Sequence, residues 1–365
     1  MIFEHTPEAL GGRIREAIRA AGGWLPFDRF MALALYEPGL GYYANASRKF
    51  GLMPQSGSDF VTAPELSPLF GRALAAQVAD AMHHCGVSEV WEFGAGSGAL
   101  ALQLLQALDA SGPRVSRYTI VDLSGSLRAR QQQTLAAFGD RVRWVDALPD
   151  AFDGIVVGNE VLDAMPVQLL HRTAGAWHER GVAVQGEGLA WRDQPTDLRP
   201  PIDIPGDHDY LTEIHPQAQA FMGTLADRLQ RGAAFFIDYG FPEAEYWHAQ
   251  RHMGTLICHR AHHSDAHPLA DVGTKDITAH VDFTGIALAA QEAGLPTLGY
   301  TSQGRFLLNC GIAALMEQAS LAERAHALKL VNEHEMGELF KLIALSRTEG
   351  WVPLGFAAGD RTHTL

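Results

Sequence analysis

One stretch constrains the fold of this chain more than any other: Val90-Trp91-Glu92-Phe93-Gly94-Ala95-Gly96-Ser97-Gly98-Ala99-Leu100, an apolar strand that runs into three glycines at alternate positions. A helical pattern, Leu100–Leu108, follows at once. Glycines so spaced let the backbone turn sharply and approach a ligand, and the helix behind them presents unpaired N–H groups to it. This is the layout of a nucleotide-binding turn. Gly94, Gly96 and Ala99 also satisfy the G-x-G-x-x-G/A spacing of dehydrogenases, so spacing alone leaves a nicotinamide site and an S-adenosyl-L-methionine (SAM) site both open.

The residues that follow repeat the strand and helix alternation. Tyr118–Asp122, Val142–Val145 leading to Asp146-Ala147, Gly154–Val157 leading to Gly158-Asn159-Glu160, and Ala233–Ile237 leading to Asp238-Tyr239-Gly240 read as strands. Helices are expected at Ser126–Phe138 and Gln217–Leu229 between them. That alternation predicts an α/β doubly wound parallel sheet, whose ligands sit at the carboxyl ends of the strands. The acids at these ends are expected to line a site, and Asp122, 28 residues beyond Gly94, is placed to accept two ribose hydroxyls.

Before the turn, Ile14, Ala17 and Ile18 share a helical face and Phe27–Tyr36 is closed by Pro38-Gly39, which predicts a helical cap and no sheet. A glycine-rich loop from Gly41-Tyr42-Tyr43 to Glu65 is expected to close over a bound cofactor, bringing Tyr43 and Thr62 near it. After the fourth strand, Val167–His171, Ala176–Val184 and Gly188–Arg192 alternate like inserted antiparallel strands. His252, His259, His262, His263 and His267 crowd one segment without a HExxH or CxxC pattern, so a lid or substrate wall is expected there and no metal. Gly299-Tyr300 and Phe306–Leu308 are expected to be the last sheet strands, and Ile312–Ser346 to be helical.

The chain has 365 residues, 47% of them hydrophobic, enough for a large core. No run approaches the roughly 18 apolar residues of a membrane span, and Met1–His5 has neither the layout of a signal peptide nor that of a transit peptide. A cytoplasmic protein is therefore expected. Cys85, Cys258 and Cys310 are too few and too scattered for a disulfide framework or a metal clip. With 28 basic and 42 acidic residues the net charge is −14, which disfavours nucleic acid and suits a cationic partner.

Several strings together resemble one family. They are Gly41-Tyr42-Tyr43, Asp59–Glu65, Glu92–Leu100, Ser124–Gln131, Asn159-Glu160-Val161-Leu162-Asp163-Ala164-Met165-Pro166, Asp238-Tyr239-Gly240, Asp276–Phe283 and Met336–Lys341. The resemblance is to the MidA-type SAM-dependent methyltransferases, which include the mitochondrial complex I assembly-factor methyltransferases. It implies a class I methyltransferase (Rossmann-like) fold, SAM as cofactor and symmetric dimethylation of a protein arginine. The acceptor it implies is a protein with an exposed arginine, such as a respiratory complex I subunit or its bacterial counterpart. Expected boundaries are an N-terminal cap and covering loop, 1–85, then a SAM-binding domain, 86–310, with insertions near 167–210 and 241–283, then C-terminal helices and tail, 311–365.

Cofactor contacts are expected from Tyr43, Thr62, Glu92, Gly94, Gly96, Gly98, Asp122, Leu123, Asp146, Ala147 and Asn159. Carboxylates beside the transferred methyl group can hold a guanidinium bidentately, which points to Glu160 and Asp163 as catalytic, with His280 and Asp282 beside them. The competing reading of these acids is as helix N-terminal caps. Two other functions stay open on sequence: a nicotinamide-dependent oxidoreductase, and a non-catalytic SAM-binding assembly factor.

Overall fold

The computed structural model describes residues 6–45, 61–122 and 124–365. Strand β1 is Leu25–Pro26, and the nucleotide-binding half supplies β2 (Glu89–Phe93), β3 (Arg117–Val121), β4 (Val142–Val145) and β5 (Phe152–Asn159). An inserted sheet holds β6 (Gln168–Thr173), β7 (Ala176–Gln185), β8 (Gly188–Pro195) and β9 (Tyr210–Ile214). The chain then returns as β10 (Leu229–Phe241) and detours through β11 (Ile257–Arg260), β12 (His263–Asp265), β13 (Asp276–Thr278) and β14 (Val281–Asp282). It ends the sheet with β15 (Thr297–Ser302) and β16 (Phe340–Ser346).

The central sheet has the order β15-β16-β10-β5-β2-β3-β4, with β14 added beside β10. Strands β2 to β5 and β10 run parallel, and β16 lies antiparallel between β10 and β15. Burial on both faces explains why β10 reads as one apolar run. Ala233, Phe235 and Ile237 face helices Pro68–Cys85 and Ala99–Ser111, while Ala234 and Phe236 face helices Pro216–Arg228 and Phe283–Glu292. Strand order reverses at β2 and β5, so the crevice above these two is where a ligand fits.

Three expectations change. Phe340–Ser346, expected to be helical, is a strand with every residue buried, so the 311–365 segment supplies part of the sheet as well as helices. Phe306–Leu308, expected to be a strand, lies in helix Gln303–Asn309. Both are short apolar runs, which carry neither the helical nor the strand period. The N-terminal cap also joins a sheet, because Leu25 and Pro26 pair antiparallel with Val182 and Gly181 of β7. A Cβ on Gly181 would stand 2.4 Å from the Leu25 carbonyl oxygen, so that contact requires glycine.

The cap and the insertion share a core of their own, in which Ile14 and Phe30 meet Leu169, Val182 and Ile277. In the central sheet Ile343 is fully buried between Phe236 and Tyr300. Ile343→Val is therefore expected to cost about 0.5–1.5 kcal/mol, read as a lower urea midpoint at unchanged slope; an unchanged midpoint would deny β16 its place in the core.

Candidate functional site

Two adjoining cavities open at the carboxyl ends of β2, β3, β5 and β10. The larger, about 630 Å³, reaches from Tyr36 past Asp122 to Asp146. The smaller, about 380 Å³, is lined by Glu92, Asn159, Asp163, Tyr239, Asp276 and His280 among others. Tyr43, Gly94, Gly96 and Glu160 form walls of both.

The turn after β2 has the expected conformation: Gly94, Gly96 and Gly98 have φ of 60°, 53° and 83°. Gly98 starts helix Ala99–Ser111 and lines neither cavity. Behind the turn, the buried Gln131 amide donates to the Gly96 carbonyl at 3.0 Å and to Asp122 Oδ2 at 2.7 Å, while its oxygen accepts from Trp144 Nε1 at 2.9 Å. One side chain thus fixes the turn against the acid at the end of β3. Asp122 Oδ1 accepts the Ser124 N–H at 2.8 Å, and burial pushes this carboxyl up against the pull of both hydrogen bonds. Asp146 is exposed and paired with Arg128; Ala147 lines neither cavity. Leu123, and residues 46–60 of the expected covering loop, lie outside the described residues.

On the other side, Tyr43 stacks on Tyr36 at 5.6 Å and donates to Asp276 Oδ2 at 2.8 Å. Thr62 stands at the start of helix Ala63–Leu66 and lines the smaller cavity. Gln103 ties that segment down, donating to the Pro64 carbonyl at 2.7 Å and accepting the Gly71 N–H at 3.0 Å. Glu92 is buried at the end of β2, accepts Tyr118 Oη–H at 2.7 Å, and is pushed up to about 8 by burial.

Acids crowd the smaller cavity. Burial, with the charge of Asp163 second, pushes Glu160 up to about 8, and burial pushes Asp163 up to about 6. Asn159 Nδ2 donates to Glu160 Oε1 at 3.0 Å, and Tyr239 Oη–H donates to Asp163 Oδ2. No helix begins at residues 160–167, so the cap reading of Glu160 and Asp163 falls. His280 lies 5.2 Å from both the Tyr239 and Phe241 rings, and burial, helped by Arg251 and Lys341, pushes it down to about 4, so it is neutral at pH 7. Asp282 differs: it precedes helix Phe283–Glu292, lines neither cavity, and takes the cap position.

Residues 73–301 match the model of the S-adenosyl-L-methionine-dependent methyltransferase family Methyltransf_28. The chain belongs to this family. Its cofactor is SAM, and the nicotinamide reading of the glycine spacing gives way. The methyltransferase is similar over 99% of its length to a Burkholderia thailandensis protein whose crystal structure holds S-adenosyl-homocysteine (SAH), with 49% identity, 97% of that chain covered and a TM-score of 0.94. Among more distant relatives, the mitochondrial protein arginine methyltransferase NDUFAF7 homolog of Caenorhabditis elegans is 24% identical, covering 95% of this chain and 90% of that one. Human protein arginine methyltransferase NDUFAF7 is 27% identical over 88% of this chain and 80% of its own.

The residues of this methyltransferase fit such a guest. Asn159 Oδ1 is a buried acceptor without a partner among the described residues, suited to an ammonium, and the Tyr36 and Tyr43 rings with nearby carboxylates suit a sulfonium. Sequence reasoning did not single out Glu65, Tyr239 or Asp276 for the site, yet all line the smaller cavity, and so does His259, from the histidine segment expected to be a lid or substrate wall. Tyr239 was within reach, since it follows a strand-end acid. His259 and Asp276 come from β11 and β13, whose approach to the sheet has no local signature.

Proposed function

We propose that this methyltransferase methylates an arginine guanidinium of a protein substrate. The observation that carries the reading is the convergence of Glu160, Asp163 and Asp276 on a cavity that shares the Gly94, Gly96 and Glu160 wall with the cofactor-sized one. The arginine methyltransferase names of the distant relatives support it, and a complex I subunit or its bacterial counterpart is the acceptor the family resemblance implies. Bound SAM supplies an already activated methyl group. Glu160 and Asp163 accept the guanidinium N–H groups, orient one nitrogen toward the methyl carbon, and Glu160 takes the proton that this nitrogen sheds. Tyr239 holds Asp163 in place, and the neutral His280 walls the cavity without adding a competing cation.

Labelled SAM added to cell-lysate protein, followed by hydrolysis and amino-acid analysis, tests the reading. Label is expected on methylated arginine. Label only on lysine, carboxylates or small molecules would refute the acceptor, and no transfer at all would favour the non-catalytic assembly factor. Asp122 is read as the ribose contact. Asp122→Ala is expected to weaken SAH by about 1.5–3 kcal/mol, roughly ten- to hundredfold in Kd by calorimetry, and unchanged affinity would remove that role.

A further inference from the structure

Glu160 has φ of 53°, a left-handed conformation that few residues other than glycine adopt. Its backbone is held there from the neighbouring strand. The Glu160 N–H donates to the Ile237 carbonyl at 2.9 Å. The next three N–H groups, of Val161, Leu162 and Asp163, all converge on Asp238 Oδ2 at 3.2, 2.9 and 3.2 Å. Asp238 Oδ1 accepts the Tyr239 N–H at 3.0 Å, and the side chain is wholly buried. Successive N–H groups wrapped around one oxygen form a nest, a cradle for an anion. Here the oxygen in the cradle is the protein's own, on a carboxyl that burial, with the charges of Asp163 and Glu160 behind it, pushes well above its ordinary value, and the cradle is the turn that carries both acids of the acceptor cavity. The far end of the turn is fixed as well, because the Asp163 carbonyl accepts the Ala279 N–H at 3.0 Å.

We infer that Asp238 is the positioning residue of the acceptor site: by filling the nest formed by residues 161–163 it holds the turn in the one shape that aims Glu160 and Asp163 into the cavity. The inference rests on the reading of those two acids as the acceptor's partners. Asp238 lines neither cavity and acts only through the turn. An amide in its place keeps the volume and can set its oxygen in the nest, but its NH2 then faces the Tyr239 N–H that Oδ1 accepts, so the turn is held less firmly.

The experiment is a double-mutant cycle on the full chain, with labelled SAM, cell-lysate protein as acceptor, and rates expressed per SAH-binding site so that only folded enzyme counts. Asp238→Asn is expected to lower kcat roughly thirtyfold or more while SAH affinity stays within about threefold. In the Glu160→Gln background the same change is expected to cost less than about threefold, because the residue it positions is already disabled. A general structural role would lower Tm and add its full loss in both backgrounds, and that result overturns the inference. Full activity of Asp238→Asn beside an impaired Glu160→Gln also overturns it and leaves the acceptor reading standing. An active Glu160→Gln removes the acceptor reading, and this inference with it. If Asp238→Asn does not fold, Asp238→Glu, which keeps the carboxyl and displaces it by one methylene, carries the same cycle to the same criteria.

Discussion

Replacing Glu160 by glutamine is expected to lower methyl transfer roughly a hundred- to a thousandfold while SAH affinity stays within about threefold of the wild type. Glutamine keeps the shape and the hydrogen bond from Asn159 but removes the charge proposed to orient the guanidinium and the base proposed to receive its proton. The loss therefore falls on kcat and not on the cofactor. A pH profile sharpens the test. Burial pushes Glu160 up to about 8 and Asp163 up to about 6, so both are protonated in weak acid, and the guanidinium grip needs them ionised. For the wild type kcat/KM is expected to rise from pH 6 to pH 8, and Glu160→Gln should lose the upper part of that rise. A variant with full activity, or a wild-type rate that falls across this interval, would show that the acids do not hold the acceptor.

Gly94→Val is expected to abolish measurable SAH binding. Gly94 has φ of 60°, and a β-branched side chain in that region is a steric outlier costing on the order of 1–3 kcal/mol. Even a bare Cβ there would stand 3.2 Å from Val161 Cγ2, and Gly94 walls both cavities, so the added methyl groups enter the space the ligand needs. Together strain and exclusion predict a Kd raised by roughly two orders of magnitude or more, with a lowered Tm. Near-normal SAH binding by this variant in calorimetry would mean that the glycine turn is only a turn.

How much of this was legible in the sequence depends on whether a signal was local. The β2 turn, Asp122 and the Asn159-Glu160 strand end could be placed because each is fixed by a strand and the residue just after it, and the parallel sheet then dictates that these ends meet. Strand β16 could not: Phe340–Ser346 is buried on every side, and uniform burial erases the period that separates strand from helix. Asp276 and His259 reach the cavity because β11 and β13 pair with each other and pack on the N-terminal cap, a long-range arrangement. Asp282 stands in a string that marks the family, at the residue before helix Phe283–Glu292, and lines neither cavity.

The left-handed backbone at Glu160 also has a consequence across species. A bulky residue held in that region costs on the order of 1–2 kcal/mol relative to glycine, and its buried carboxylate adds repulsion with Asp163. If Glu160 holds the acceptor as proposed, methyl transfer is what that expense serves. A lineage that keeps the fold as an assembly scaffold and abandons transfer gains stability by drifting to glycine or asparagine at this position. On the proposed role, relatives that methylate are expected to keep an acid aligned with Glu160, and a methylating relative with glycine there would count against it.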